Sequence, residues 1–111
     1  MLQILKMVAA AATIVTGVVS LLRPRSVQGF TGLTAEGGRG ISEIRAVLGG
    51  FFIALGAAPF FLGETAYVML GIAYLGVGVV RAVSIVIDKS AVQSNIISLV
   101  VEIVLGVILV L

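Results

Sequence analysis

Arg81 and Glu102 are the two residues best suited to chemistry, because each interrupts a long run of apolar residues. A charged side chain in such a run is costly unless it is paired, and by default it marks a ligand or ion site. We predict that Arg81 forms an ion pair, with either Glu102 or Glu43 as its partner. Two interpretations remain open: the charges bind or translocate a ligand, or they only hold helices together.

Polar residues recur around these charges at spacings that place them on one helix face. On the third hydrophobic segment the spacing is seven residues, and the members are Tyr67, Tyr74, Arg81 and Asp88. On the fourth segment the spacing is four residues, with Ser94, Ser98, Glu102 and Gly106 as members and Asn95 beside them. Polar faces that turn toward each other are cheapest in hydrocarbon. The predicted ligand site or intramembrane polar network therefore consists of Glu43, Arg45, Tyr74, Arg81, Asn95, Ser98 and Glu102.

The first segment carries its own polar face, with Lys6, Thr13 and Ser20 at seven-residue spacing. We predict that this face also turns inward, while the charged ends of Lys6 and Glu64 lie in solvent. Tyr67 is predicted to lie near the same membrane surface as Lys6 and Glu64, so we assign it to the aromatic belt there. Tyr74 is too deep for that belt and needs a hydrogen-bond partner inside the bundle.

The elements that must position these residues are four transmembrane helices. Of the 111 residues, 60% are hydrophobic and 11% are charged, against about a quarter charged in soluble domains. A membrane-spanning helix needs about 20 apolar residues. We therefore predict helices at residues 2–22, 42–62, 65–87 and 92–111 within a single domain, 1–111, and Ser42 as the N-cap of the second helix. The fold class is an all-α integral membrane four-helix bundle, with short connections except for one glycine-rich loop between the first two helices.

Small residues at four-residue spacing predict where the helices pack. The stripes are Ala9, Thr13 and Gly17, and also Ala12, Thr16 and Ser20, in the first helix, Gly50, Ala54 and Ala58 in the second, and Gly71, Gly78 and Ala82 in the third. They favour a compact bundle, and they also suit contact with a second copy of the chain or with a larger membrane complex.

Basic residues gather at one end of the predicted bundle. That end holds Arg23, Arg25, Arg39, Arg45 and Lys89, whereas the opposite end holds only Lys6. Cytoplasmic loops carry an excess of lysine and arginine. We therefore expect the long loop, residues 23–41, to be cytoplasmic and both termini to lie outside.

The chain has no cysteine and no histidine, which excludes disulfides, thiolate metal ligands and Cys–His catalytic pairs. No catalytic residue, metal site or cofactor is predicted, and we do not expect an enzyme. The net charge is +2, and the basic residues lie at separate helix ends. Binding to nucleic acid is therefore not expected, and membrane lipids are the predicted partners.

A family resemblance rests on a short motif at the start of the second helix and on three residues further along. The motif is Glu43-Ile44-Arg45-Ala46 followed by Gly49-Gly50, and the three residues are Tyr74, Arg81 and Glu102. With them the chain resembles the domain of unknown function 4345 family of small bacterial four-helix membrane proteins. The resemblance implies a four-helix protein of the bacterial inner membrane and no established activity, so no catalytic residue is carried over.

The predicted function is that of a small integral membrane protein with a charged intramembrane pocket. That pocket would bind or transport an amphipathic or anionic small molecule, or a lipid. The alternative is a structural or accessory subunit of a larger membrane complex, in which the buried charges serve assembly. A stoichiometric protein partner would favour the second hypothesis.

Overall fold

Four long helices and one short helix make up the structure, a computed structural model that describes residues 1–111. The helices are α1 (Leu2–Leu22), α2 (Ser26–Thr31), α3 (Gly37–Leu62), α4 (Glu64–Ile87) and α5 (Gln93–Val110). All but α2 have the length and apolar composition needed to cross a membrane. The predicted all-α, four-helix architecture is confirmed.

The start of α3 differs from the prediction. The helix begins at Gly37, five residues before residue 42, so Ser42 lies inside it and its assignment as the N-cap is wrong. Glycines disfavour helix only weakly compared with tertiary contacts. Here a Cβ atom at position 40 would lie 3.0 Å from the Cα of Ala35, so glycine lets the preceding loop pack closely on the first turn.

The glycine-rich connection between α1 and α3 contains the short helix α2. The hydroxyl of Ser26 donates to the carbonyl of Arg23 at 2.7 Å, which ties the turn that follows α1. Gly32 ends α2 with a φ of 76°, a left-handed conformation that favours glycine. The side chain of Gln28 then accepts a hydrogen bond from the amide of Ala35 at 2.6 Å. The connection is therefore a folded segment that is anchored at both ends.

Two helix pairs form the bundle, and glycines set the distance within each pair. In the pair α1–α3, a Cβ at Gly17 would lie 2.7 Å from the carbonyl oxygen of Gly49, and a Cβ at Gly56 would lie 2.7 Å from that of Ala10. In the pair α4–α5, Gly71 lies against the backbone of Gly106 in the same way. Such backbone-to-backbone approach is how helices associate without a hydrophobic driving force.

The predicted packing stripe of the second helix is wrong, although those at Gly17 in the first helix and at Gly71 and Gly78 in the third are confirmed. The other stripe of the first helix is wrong at Ala12 and Thr16, which are exposed. Gly50 and Ala54 are exposed, whereas Gly49 and Gly56 are buried against α1. The reason is local geometry: residues Ile44–Phe51 form a π-helical segment. Its wider turn changes which residues face the neighbouring helix.

The two pairs meet around a small buried core at one end of the bundle. Its members are Ala9, Ala10, Tyr67, Leu70 and Leu109. Tyr67 is only 3% exposed, and its ring meets the edge of Phe60 at a centroid distance of 6.2 Å. The assignment of Tyr67 to a surface aromatic belt is therefore wrong, because α1 and α5 cover its ring.

Candidate functional site

Arg81 of α4 and Glu102 of α5 form a two-pronged salt bridge. The Nε and Nη2 atoms of Arg81 each donate to one carboxylate oxygen of Glu102, both at 2.7 Å. This fork geometry is the strongest form of arginine–carboxylate pairing. Of the two partners that the sequence left open for Arg81, the structure selects Glu102.

A third residue, Asn95, holds the arginine from the other side. Its side-chain oxygen accepts from Nη1 of Arg81 at 2.8 Å, and its amide nitrogen donates to the carbonyl of Ser90 at 3.0 Å. Asn95 and Glu102 are seven residues apart, so they lie on one face of α5 with Arg81 between them. The guanidinium is therefore fixed by α5 and by the turn that precedes it.

Gly78 of α4 allows α5 to approach closely enough for this pairing. A Cβ atom at that position would lie 2.7 Å from the side chain of Ile103 and 3.7 Å from the Cβ of Glu102. The Glu102 side chain is 12% exposed and that of Arg81 is 32% exposed. The carboxylate thus faces the interior, and part of the guanidinium faces outward.

Near the middle of the bundle, the hydroxyl groups of Tyr74 and Thr13 lie 2.5 Å apart. The single hydroxyl proton of Thr13 is donated to the carbonyl of Ala9 at 2.9 Å. Tyr74 must therefore be the donor to Thr13. The prediction that Tyr74 finds an internal hydrogen-bond partner is confirmed.

Replacing Thr13 with valine should lower the free energy of unfolding by about 1 kcal/mol, because it leaves the Tyr74 hydroxyl without its acceptor. Thr16→Val is the matched control, since the Thr16 hydroxyl is exposed and bonds only to its own helix. The free energies of unfolding of both variants, measured in detergent by circular dichroism, test this difference. Equal losses would show that the Tyr74–Thr13 bond contributes nothing.

A cleft of about 150 Å³ lies beside these polar residues. Its lining includes Thr13 of α1, Tyr74 of α4 and Glu102 of α5. The remaining lining is apolar and consists of Phe51, Phe52, Leu55, Leu70, Ala73 and Val77. The cleft is therefore mostly apolar, with walls from α3 and α4 and with three polar residues in its lining.

The structure brings together only part of the predicted polar network. Tyr74, Arg81, Asn95 and Glu102 are connected as described, and Ser98 lies half-buried one turn before Glu102. Glu43 is not in the network, because it pairs with Arg39 on the exposed side of α3.

Arg45, the remaining member of the predicted set, is also separate from the Arg81–Glu102 pair. Its side chain is exposed and lines a groove beside Arg23 and Arg25. The π-helical segment of α3 begins one residue before it, at Ile44.

The polar face of α1 is confirmed, since Lys6, Thr13 and Ser20 are all buried. The prediction that Lys6 lies in solvent is wrong: it is 4% exposed, and its ammonium contacts the carboxylate of Glu64 at 2.5 Å. Thr13 was not among the predicted site residues, although its seven-residue spacing from Lys6 was the signal that could have placed it there. No group of three or more acidic side chains that could hold a metal ion is present.

Comparison with known proteins identifies the family. A search of curated proteins and a search of solved structures found no match. The family model described as a domain of unknown function (DUF4345) matches residues 1–111, the whole chain. The chain therefore belongs to the DUF4345 family.

Proposed function

We propose that this protein is a multi-pass protein of the bacterial inner membrane that binds or transports an amphipathic molecule. The supporting observation is the mostly apolar cleft between α3 and α4, whose lining includes Thr13, Tyr74 and Glu102. Ligand pockets are built in this way, mostly apolar with a few polar groups that fix orientation. Glu102 of the intramembrane ion pair is part of this lining, which favours a role in ligand binding over a purely structural one.

The size of the cleft limits what enters it. About 150 Å³ accommodates a ring or a short alkyl segment, but not a whole drug-sized molecule. The ligand should therefore insert one part and leave the rest outside, as a lipid chain or an amphipathic molecule with a flexible tail does.

The entrance lies on the side of the bundle, where lipid would be. Two of the lining residues are half exposed, Phe51 at 56% and Val77 at 48%, and they come from α3 and α4 respectively. Thr13, Tyr74 and Glu102 all lie near the middle of their helices, about 12–15 Å from the nearer helix end. A molecule already dissolved in the bilayer could therefore reach the cleft without passing through water.

We infer that Arg81, which lies beside the cleft rather than in its lining, provides the contact for an anionic group. A guanidinium has five N–H donors, and three of the donors of Arg81 are used by Glu102 and Asn95. Arg81 also lines a polar groove together with Ser84 and Asn95, and Val77 lines both this groove and the cleft. An anionic head group in the groove and an apolar segment in the cleft would suit one continuous ligand.

The proposed orientation places residues 23–41 in the cytoplasm and both termini outside. It follows from the five basic residues at that end of the bundle, Arg23, Arg25, Arg39, Arg45 and Lys89. Arg81 lies about 9 Å from the same end of α4, so the groove opens toward the cytoplasmic leaflet.

An accessory subunit of a larger membrane complex is the second candidate. It is favoured by the exposed face of α4, where a Cβ atom at Gly76 would meet nothing within 4 Å. Such a smooth surface lets a helix from another chain or a second copy approach closely.

Native mass spectrometry of the protein released from its own membranes in a mild detergent tests the proposal. The wild-type protein should carry a small amphipathic molecule, and Ala73→Phe should lose it because the new ring fills the cleft. Ala54→Phe is the matched control, since Ala54 is an exposed alanine that does not line the cleft. If the wild type carries a stoichiometric protein partner and no small molecule, the accessory-subunit hypothesis replaces this one.

A second variant separates binding from assembly. Arg81→Leu combined with Glu102→Met removes both charges without leaving either one unpaired. If the charges serve the ligand, the double variant should stay assembled and lose the bound molecule. If it stays assembled and keeps the molecule, the charges are not part of the site.

A further inference from the structure

Three arginines surround a groove at the end of the bundle where α1 ends, away from the cleft. The groove has a volume of about 520 Å³, and its lining consists of Arg23, Pro24, Arg25, Ser26, Ile41 and Arg45. Arg23, Pro24 and Arg25 belong to the turn after α1, Ser26 begins α2, and Ile41 and Arg45 belong to α3. From the sequence, these arginines were expected to lie at separate helix ends. In the fold they lie around one concave surface.

None of the three arginines has a carboxylate partner. The salt bridges of the chain are Lys6–Glu64, Arg39–Glu43 and Arg81–Glu102. Of the acidic side chains at this end, Glu43 pairs with Arg39, and Asp88 accepts a hydrogen bond from Ser84 at 2.5 Å. Glu36, which directly precedes α3, does not line the groove and forms no salt bridge with its arginines. The groove therefore presents uncompensated positive charge and free guanidinium donors.

The backbone around the groove is held in place. Pro24 is buried in the turn, and the hydroxyl of Ser26 closes that turn onto the carbonyl of Arg23. On the other side, Arg45 lies about 12 Å from the start of α3. The two walls are therefore set by the fold, and only the arginine side chains need to adjust to a ligand.

The level of the groove indicates what occupies it. Arg23 directly follows Leu22, the last residue of the apolar helix α1, so the groove lies where the hydrocarbon layer would end. Lipid phosphates lie at this level, and arginine is suited to phosphate because its planar fork binds two oxygens at once. The geometry points to a phosphate-binding site, formed by Arg23, Arg25 and Arg45, for an anionic lipid head group or a soluble phosphate ester. This site is independent of the proposed cleft ligand.

Charge-matched double variants test the site. Arg25→Gln/Arg45→Gln removes two charges from the groove, whereas Arg39→Gln/Lys89→Gln removes two charges from the same end but outside it. Native mass spectrometry of each protein, with phosphatidylglycerol or phosphatidylcholine added, measures the preference for the anionic lipid. The groove variant should lose that preference by about tenfold or more, and the control should stay within about twofold of wild type.

Two results would overturn the proposal: no preference of the wild type for phosphatidylglycerol, or equal losses in both double variants. Equal losses would mean that general positive charge attracts the lipid.

A competition with glycerol 3-phosphate distinguishes the two sources of phosphate. Displacement of phosphatidylglycerol from the wild type supports the site with a soluble ester as its ligand, and retention supports it with a lipid. Because all three arginines are exposed, the substitutions should leave the helical content unchanged, which circular dichroism verifies.

Discussion

Glu102→Met alone should lower the free energy of unfolding by about 3 kcal/mol, because it leaves the guanidinium of Arg81 without its carboxylate between two helices. Arg81→Leu alone should have a similar effect by isolating Glu102, whose side chain is 12% exposed. The double variant should lose less than about 1 kcal/mol, since two apolar side chains of comparable volume then replace the pair. The two positions are therefore expected to be strongly coupled.

Unfolding of the four proteins by titration with a denaturing detergent, followed by circular dichroism, completes the double-mutant cycle. Arg39→Leu and Glu43→Met form the control cycle, because that pair lies on one helix and both side chains are more than half exposed. It should show no measurable coupling, since exposed pairs are screened by solvent. Additive losses at Arg81 and Glu102 would contradict the structural assignment of the pair.

Gly17→Ala should lower the free energy of unfolding by about 2 kcal/mol, even though it adds only one methyl group. The new Cβ would lie 2.7 Å from the carbonyl oxygen of Gly49 and 2.8 Å from the amide nitrogen of Ile53. Both atoms belong to the backbone and cannot rotate away, so α1 and α3 must separate. Gly56→Ala should behave alike, because its Cβ would meet the carbonyl oxygen of Ala10 at 2.7 Å.

The same substitution at Gly76 is the matched control. Gly76 lies within α4, and a Cβ there meets nothing within 4 Å. Gly76→Ala should therefore be neutral or should stabilise the protein by up to about 1 kcal/mol, because alanine favours helix. Thermal unfolding of the three variants in the same detergent measures the difference. A loss at Gly76 equal to that at Gly17 would mean that close packing of α1 on α3 is not what the glycine provides.

Residue type and spacing were enough to predict the four long helices and to single out Arg81 and Glu102. Apolar runs of about 20 residues can satisfy their backbone groups in lipid only as helices, so the ends of α1 and α4 were predicted within a residue. Arg81 and Glu102 stand alone in such runs, and two opposite charges there must find each other or another partner. Their pairing is therefore one of the two arrangements that the sequence predicts for Arg81.

Tertiary structure decided the contacts that depend on distance between helices. Gly49 and Gly50 are adjacent and chemically identical, yet Gly49 packs against α1 and Gly50 is exposed, both within the π-helical segment of α3. Lys6 was expected in solvent, but its side chain is buried. Glu64, which is distant in sequence, lies close enough to accept a hydrogen bond from its ammonium.

Arg45 is a second residue whose charge is evident from the sequence but whose neighbours depend on the fold. Its charge and its place near a helix end were evident from the sequence, but its neighbours Arg23 and Arg25 depend on how the connection after α1 folds back. Periodicity along one helix determines which residues share a face. It carries no information about which residues of another helix come opposite that face, because this depends on rotation, tilt and turn geometry that only close packing selects.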